Sequence, residues 1–213
     1  ERSLRAQERA YLTELSDEVR SNVRQIEYRT AYTQILLESG KTARNFLESD
    51  TPCVQDCSSL LADFFIASQF WGTPLSQTIL VEMQRLGLPR SKAIKSSIQI
   101  FYNTTTGMDV TVDSQPRYRE NVRGYMSADL IRGLWTDCWT FEDGSPEILR
   151  PDCKARLSND EASALLEKIR RSPDLAKDLD FWLGVNEFGL VIYPNMISTG
   201  NDVVAAIDRE LSK

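Results

Sequence analysis

The sequence predicts a mainly α-helical protein, an irregular helical bundle organised on one long N-terminal helix, with a loop region pinned by disulfides. Residues 1–49 contain no proline and a single glycine, Gly40, so nothing before that glycine should interrupt a helix. Beyond them, apolar residues recur at helical spacing between short turn signals. Four cysteines fall as two local pairs in the irregular segments, and such pairs are typical of disulfides.

The first helix should bury one face along its whole length, because its apolar and small residues follow one another at steps of three or four. At 1.5 Å per residue the helix would be roughly 65 Å long, which suggests an anchor point upstream. The members of this stripe are Leu12, Leu15, Val19, Val23, Ile26, Thr30, Thr33, Leu37, Gly40, Arg44 and Leu47.

The two halves of the first helix differ in composition. From Tyr28 onward, Tyr32, Ile35, Leu36 and Phe46 widen the apolar arc, so we expect this half to be buried. Residues 1–27 carry a narrower stripe, and we expect them to be more exposed, as a juxtamembrane stalk or a contact with one partner. The alternative is an ordinary amphipathic helix with a frayed start.

Three further helices are predicted before residue 103. Asp56 can cap a second, strongly apolar helix, which Gly72 should stop. Thr73-Pro74 predicts the start of a third helix, which ends at Gly87. A fourth helix should run from about Ser91 to Tyr102.

The middle of the chain combines short helices with an irregular segment. Residues 108–113 alternate as a short strand would. Pro116 and Ser127 each predict the start of a helix. The segment from Trp135 to Leu157 is the least regular, and a loop of this length is usually functional or cross-linked.

The C-terminal part begins with the most specific local signal, the capping box formed by residues 158–161 (Ser-Asn-Asp-Glu). Ser172-Pro173 predicts the start of the next helix. We interpret residues 189–193, before Pro194, as the end of that helix, with a strand as the alternative. A last helix should cover about residues 201–211.

The cysteine pairs predict the redox compartment. We favour disulfides between Cys53 and Cys57 and between Cys138 and Cys153, which would place the chain in an oxidising compartment. Four reduced cysteines in a cytosolic protein are the alternative. Zinc is disfavoured because the spacings are unusual for ligands and the chain contains no histidine.

Composition excludes several functional classes. The chain has 213 residues and a net charge of −6, which fits one domain over residues 1–213 and argues against nucleic-acid binding. The lack of histidine excludes Ser-His-Asp and Cys-His catalysis within the chain. There is no phosphate-loop or dinucleotide motif, so we expect no cofactor and no metal. A hydrolase using paired carboxylates stays as an alternative.

Two groups of residues could bind a ligand, and the first is a basic and aromatic cluster. Arg117, Tyr118, Arg119, Arg123 and Tyr125 fall within nine residues. Arg119 and Arg123 share a helical face and offer planar donors to an anion. The alternative is a basic helix surface that balances an acidic protein.

The second group is Trp71, Trp135 and Trp139, which could line an apolar pocket with polar rims. Alternatively, these tryptophans are core and loop anchors.

Residues 8–15 (Glu-Arg-Ala-Tyr-Leu-Thr-Glu-Leu) with Asn22, together with residues 79–102 and their Leu86-Gly87-Leu88 turn, resemble a family of uncharacterised bacterial envelope proteins. In that family one N-terminal membrane helix leads into a long helix and a helical extracytoplasmic domain. The segment from Trp135 to Leu157 departs from the family pattern. The resemblance implies a periplasmic location and supplies no catalytic residues.

These observations lead us to expect a non-catalytic periplasmic domain, anchored to the inner membrane in the full-length protein by a segment outside this sequence. It would sense a small molecule or interact with an envelope protein, and the first helix is a candidate for homodimer formation. An envelope scaffold is the main alternative.

Overall fold

The computed structural model describes residues 2–108, 115–140, 148–150 and 152–213. The predicted fold class is confirmed, because the chain is a helical bundle built on a long N-terminal helix, with both disulfides formed. The elements are α1 (Arg2–Glu48), α2 (Cys57–Ala67), α3 (Thr78–Arg85), α4 (Lys92–Thr105), a 3-10 helix (Thr106–Met108), α5 (Arg117–Arg123), α6 (Ala128–Cys138), β1 (Trp139–Thr140), β2 (Ile148–Leu149), α7 (Asn159–Arg170) and α8 (Leu175–Leu211).

The chain forms two compact units, each assembled from segments that are distant in the sequence. Unit 1 contains Glu1–Thr30, Trp71–Asp113 and Val191–Lys213, and unit 2 contains Ala31–Phe70 and Ser114–Leu190. The helices α1 and α8 therefore contribute residues to both units. That residues 1–213 fold as one domain stays a prediction.

One face of α1 is buried in unit 1 from Leu12 to Ile26, contrary to the expectation of a single-partner contact, whereas residues 5–11 are exposed or half-buried. Leu15, Val19 and Ile26 are fully buried, and Leu12 and Val23 are nearly so. The sequence suggested a single-partner contact because the stripe is narrow. In unit 1, however, α3, α4 and the end of α8 bury their own apolar residues as well, so a narrow stripe is enough.

Unit 1 ties the segment before α3 to α1 through polar side chains. The carboxamide of Asn22 donates to the carbonyl oxygen of Ser76 at 2.8 Å and accepts from its N–H at 2.9 Å. The Ser76 hydroxyl donates to Glu18 at 2.8 Å. This pairing holds the backbone outside a helix, so α3 begins at Thr78 and not at Thr73-Pro74 as predicted.

The predicted end of α3 at Gly87 is confirmed. Gly87 has a φ of 72°, and the Leu88 N–H donates to the Met83 carbonyl oxygen at 2.8 Å. This is a Schellman motif, in which a glycine takes the left-handed conformation just after the helix. Ser91, where the fourth helix was predicted to begin, caps α4 by accepting from the Ile94 N–H.

Unit 2 holds a large apolar cluster. The second half of α1 contributes to it, but Tyr28 in unit 1 (46% exposed) and Ile35 (39% exposed) do not widen the buried arc as expected. Both residues lie outside the buried face of α1. The cluster members with no exposed surface are Ala43, Cys57, Leu61, Phe64, Phe65, Ala67, Tyr118, Val122, Leu134, Cys138, Ala162, Leu166, Ile169 and Leu179.

The start of α2 is capped by a distant residue. Asp56 occupies the cap position, but its side chain makes no capping hydrogen bond, so that prediction is wrong. Instead Asn159 accepts from the Cys57 N–H at 3.1 Å and donates to the Val54 carbonyl oxygen at 2.9 Å. The predicted capping box that starts α7 at Ser158 is confirmed.

The helix α2 also ends earlier than predicted, at Ala67 and not at Gly72. Farther along, α6 extends through the start of the segment predicted to be irregular and ends at Cys138. The antiparallel strands β1 and β2 follow, with Trp139 opposite Leu149. The predicted strand at residues 108–113 lies outside the described residues except for Met108, which belongs to the 3-10 helix.

The helix α8 corrects the prediction of two separate C-terminal helices and excludes the strand alternative. It is continuous over 37 residues with Pro194 inside it. Proline removes one backbone hydrogen bond and strains the preceding turn. Here Pro194 faces solvent, while Tyr193, Met196 and Gly200 keep helical spacing on the buried face.

Two glycines allow close packing between α1 and α8. In unit 2, a Cβ atom added at Gly40 would overlap Leu183. In unit 1, a Cβ atom at Gly200 would lie 2.5 Å from Val23 and 3.0 Å from Phe101. A Cβ atom at Gly184, by contrast, would have no neighbouring atom within 4 Å among the described residues.

We expect Gly200→Ala to destabilise the protein by about 1–3 kcal/mol, because the added methyl overpacks unit 1. The control Gly184→Ala should stabilise it by up to about 1 kcal/mol, since alanine favours helix and meets no neighbour. Thermal and urea unfolding measure both effects. Equal stability of the two variants would contradict the close packing at Gly200.

Candidate functional site

The two arginines that the sequence singled out lie on α5 and point to the end of α2. Arg119 Nη1 donates to the Ser68 carbonyl oxygen at 3.1 Å and to Gln69 Oε1 at 3.3 Å. Arg123 Nε donates to the Ser68 hydroxyl at 2.8 Å. Their spacing of four residues puts both guanidinium groups on one helical face, so both contact Ser68, and Arg119 also contacts Gln69.

Aromatic rings cover the faces of these guanidinium groups. The guanidinium carbon of Arg119 lies 4.9 Å from the ring centre of Phe70. That of Arg123 lies 4.4 Å from Phe65 and 5.7 Å from Trp135. Stacking of this kind holds a guanidinium in place while its edge donors remain available.

Trp135 and Trp139 belong to the same cluster. Their ring centres are 4.7 Å apart, and each lies 5.6 Å from the ring centre of Phe65 in an edge-to-face arrangement. Trp139 is buried and Trp135 is half-buried. The basic and tryptophan groups, which are separate in the sequence, are therefore joined in the structure through Arg123.

The positive charge of this cluster has no carboxylate partner among the described residues. Burial lowers the pKa of Arg119. Burial, and then the neighbouring charge of Arg119, lower the pKa of Arg123 to about 9. Both arginines stay charged at neutral pH. The half-buried carboxyl group of Asp63 hydrogen-bonds to Ser39 and pairs with neither of them.

The end of α2 compensates only part of this charge. A helix C-terminus is equivalent to about half a negative charge, whereas two guanidinium groups carry two full positive charges. The dipole therefore explains why the arginines point to Ser68 but leaves a net positive site.

Within the described part of the chain, three buried donors of the cluster have no hydrogen-bond partner. They are Arg123 Nη2, Gln69 Nε2 and Trp139 Nε1. An unsatisfied buried donor costs roughly 1–3 kcal/mol. These atoms have almost no exposed surface, so an oxyanion would reach them only after a neighbouring side chain moves, and it would then find unpaired donors beside positive charge.

The remaining predicted site residues lie elsewhere. Tyr125 is 38% exposed and follows the end of α5. Tyr118 is fully buried, and its hydroxyl donates to the Phe64 carbonyl oxygen at 3.2 Å. Burial and the charge of Asp63 raise the pKa of Tyr118. Trp71 belongs to unit 1, whereas Trp135 and Trp139 belong to unit 2.

Sequence reasoning missed Ser68 and Gln69, which the arginines contact. Both are buried and directly follow the apolar run Phe64–Ala67. Two polar residues at the end of a buried helix were a usable signal, because buried polar groups require partners.

Metal-ligating side chains do not gather in the described part of the chain. There, no group of three or more acidic or cysteine side chains is placed to hold a metal ion. Within the same ranges, no helix is sufficiently long and apolar to cross a membrane.

Comparison with protein-family models, with curated proteins and with solved structures finds no match to this chain. The resemblance to bacterial envelope proteins therefore stays a prediction.

The half-buried carboxyl of Asp63 predicts a pH dependence of stability. Burial raises its pKa above the ordinary value of 3.8, so the folded state holds this proton more tightly than the unfolded state. Stability should therefore fall as pH rises from 3.8 through the raised pKa. Asp63→Asn should raise the melting temperature at pH 7, and this gain should shrink toward pH 4.

The control is Asp50→Asn, which changes an exposed carboxylate of the same unit. It should leave the melting temperature unchanged at both pH values. If Asp63→Asn lowered the melting temperature at pH 7, the carboxylate would stabilise the fold and its pKa could not be raised.

Proposed function

We propose that this chain is a non-catalytic ligand-binding module that recognises an anionic ligand at Arg119 and Arg123. The observation that carries the proposal is the pair of half-buried guanidinium groups with no carboxylate partner in the described part of the chain. A bound oxyanion would compensate their charge and accept from their remaining N–H groups.

The ligand class follows from the shape of the donors. Guanidinium groups present planar, forked donors that match carboxylate and phosphate oxygens. Stacking on the rings of Phe65, Phe70 and Trp135 holds the two guanidinium groups in place. We therefore expect a ligand that carries a carboxylate or phosphate group.

The site could transmit binding to the long helix. Tyr32 of α1 packs against the apolar cluster that contains Phe65, so the site adjoins the second half of α1 in unit 2. A ligand that bound one packing arrangement more tightly would shift the population toward it. This is the sensing mechanism that we propose.

The compartment that we propose is extracytoplasmic. Its support is the pair of disulfides, Cys53–Cys57 and Cys138–Cys153, which use all four cysteines. Disulfides persist in oxidising compartments and are rare in the cytosol. Anchoring to an inner membrane by a segment outside this sequence is part of the same proposal.

Anions should raise the melting temperature, because a ligand that binds only the native state stabilises it. At a hundred times the dissociation constant the gain is about 2.7 kcal/mol, or roughly 5–10 °C for a chain of this size. The experiment titrates phosphate, citrate and acetate against chloride at matched ionic strength.

Arg119→Met and Arg123→Met should remove the shift. The matched control is Arg117→Met, which changes an exposed arginine on the same helix and should keep it. Circular dichroism verifies that each variant is folded. Equal shifts for chloride and the oxyanions, or an unchanged shift in Arg123→Met, would refute anion recognition at this site.

An envelope scaffold is the second candidate, favoured by an exposed apolar face in unit 2. Phe181 and Phe188 on α8 are 75% and 64% exposed, with Gly184 between them. Spacings of three and four residues put these positions on one helical face. Exposed aromatic residues of this kind are typical of protein contacts.

The scaffold hypothesis predicts self-association of the purified chain that depends on this face. Sedimentation velocity over a range of concentrations should show a dimer, and Phe181→Ser with Phe188→Ser should return it to a monomer. Val54→Ser, at a residue that is 74% exposed in the same unit, is the control and should leave the dimer intact. A chain that is monomeric at every concentration would remove this support.

A further inference from the structure

Unit 1 contains an open groove formed by α3, α4 and the turn between them, with a volume of about 530 Å³. This volume lies within the usual range of ligand sites. Leu80, Ile98 and Pro89 are buried residues that also line the groove, and they give it an apolar part. The groove belongs to the other unit from the arginine pair.

The rim of the groove carries four carboxamide side chains. Gln77 and Gln84 come from the α3 side, and Gln99 and Asn103 come from α4. All four are exposed, and within the described residues none of these carboxamides makes a hydrogen bond. Each therefore offers one acceptor oxygen and two N–H donors to a ligand.

The described lining of the groove carries a single positive charge. Lys95 is its one charged lining residue, and no acidic residue lines it among those described. Lys95 forms no ion pair within the described ranges. Burial opposes the ionisation of Glu8, but the hydrogen bonds and charge of Arg90, and last the charge of Lys95, lower its pKa. A ligand that carries a carboxylate near Lys95 would gain an ion pair.

The spacing on α4 matches an extended peptide. Lys95, Gln99 and Asn103 follow at steps of four residues, which is about 6 Å along a helix. In an extended chain, peptide groups that face the same way recur every two residues, or about 6.6–6.8 Å. These three side chains on α4 can therefore contact every second peptide group of one extended peptide.

Unit 1 already contains a carboxamide that forms two hydrogen bonds with a peptide backbone. Asn22 both donates to and accepts from the backbone of Ser76, at 2.8 and 2.9 Å. The carboxamides of the groove have the same chemistry and, within the described chain, no partner. A peptide backbone supplies the N–H and C=O groups that they lack.

We propose that this groove binds an extended peptide segment. Gln77, Gln84, Gln99 and Asn103 hydrogen-bond to its backbone, an apolar side chain packs on Leu80 and Ile98, and a carboxylate lies near Lys95. A carbohydrate fits less well, because the Tyr102 ring is 8% exposed and its hydroxyl already donates to the Ser76 carbonyl oxygen at 3.2 Å. Among the described residues, no other aromatic ring lines the groove for a sugar to stack on.

The test uses a library of fluorescein-labelled hexapeptides with neutral or acidic residues, selected against the purified full chain and measured by fluorescence polarisation. Gln99→Leu and Asn103→Leu should each weaken binding about five- to tenfold, the effect of losing one or two backbone hydrogen bonds. Lys95→Met should weaken acidic peptides by a similar factor and leave neutral ones unchanged.

The controls change matched residues outside the groove. Lys92→Met alters an exposed lysine one turn before Lys95 on α4, and Gln34→Leu alters an exposed glutamine of α1. Both should bind every selected peptide as the unchanged chain does. Circular dichroism verifies that the variants are folded.

A second measurement isolates backbone recognition. Methylating alternate backbone nitrogens of a selected peptide removes the N–H groups and should reduce binding at least tenfold, while the side chains stay the same. Equal binding of methylated and unmethylated peptides would overturn the proposal. So would a library without binders, or tight binding of N-acetylglucosamine oligomers that Gln99→Leu abolishes.

Peptide binding in the groove does not depend on the arginine site. Phosphate shifts that survive in Gln99→Leu, together with peptide binding that survives in Arg123→Met, would establish two separate sites. Failure of one measurement leaves the other proposal standing.

Discussion

The burial of one continuous stripe on α1 is the constraint on which the rest of the structure depends. From Leu12 to Ile26 the stripe is covered in unit 1, and from Thr33 to Gly40 it is covered in unit 2. Burying a large apolar side chain contributes about 1.5–3 kcal/mol, so several such residues outweigh the roughly 3 kcal/mol that a proline costs inside a helix. This balance explains why α8 continues through Pro194. Its buried residues pack in helical register on both sides of the proline, and breaking the helix there would lose more than the missing hydrogen bond.

The parts of the fold that the sequence predicted are those set by local chemistry. The period of α1, the capping box at Ser158 and the glycine that ends α3 each depend on residues within one or two turns. The predictions failed where a residue distant in the sequence determines how a helix begins. Asn159 replaces Asp56 as the cap of α2, and Asn22 fixes the backbone before α3. Neither contact leaves a periodic signal in the sequence, because its two residues are separated by more than fifty positions.

At the two proposed sites, too, features set by nearby residues were predicted and contacts between distant residues were not. Helical spacing placed Arg119 and Arg123 on one face, and this much could be read from the sequence. The end of α2, which they contact, could not be identified because Ser68 and Gln69 are joined to α5 only by the fold. The groove was not predicted at all. Glutamine and asparagine on exposed helical faces are common, and their grouping around apolar residues appears only when α3 and α4 are folded against the same turn.

Neither site contains a histidine, because the chain has none. Histidine is the side chain whose ordinary pKa lies closest to neutral pH, so it makes binding sensitive to small changes in pH. The arginine site instead uses guanidinium groups, and even Arg123, with its pKa lowered to about 9, stays charged at pH 7. The groove uses carboxamides, which do not titrate, and one lysine. Recognition by these groups keeps the same charge and the same donors across the neutral range. Any change of binding across the neutral range would therefore come from titration of the ligand, such as a phosphate group, and not from these side chains.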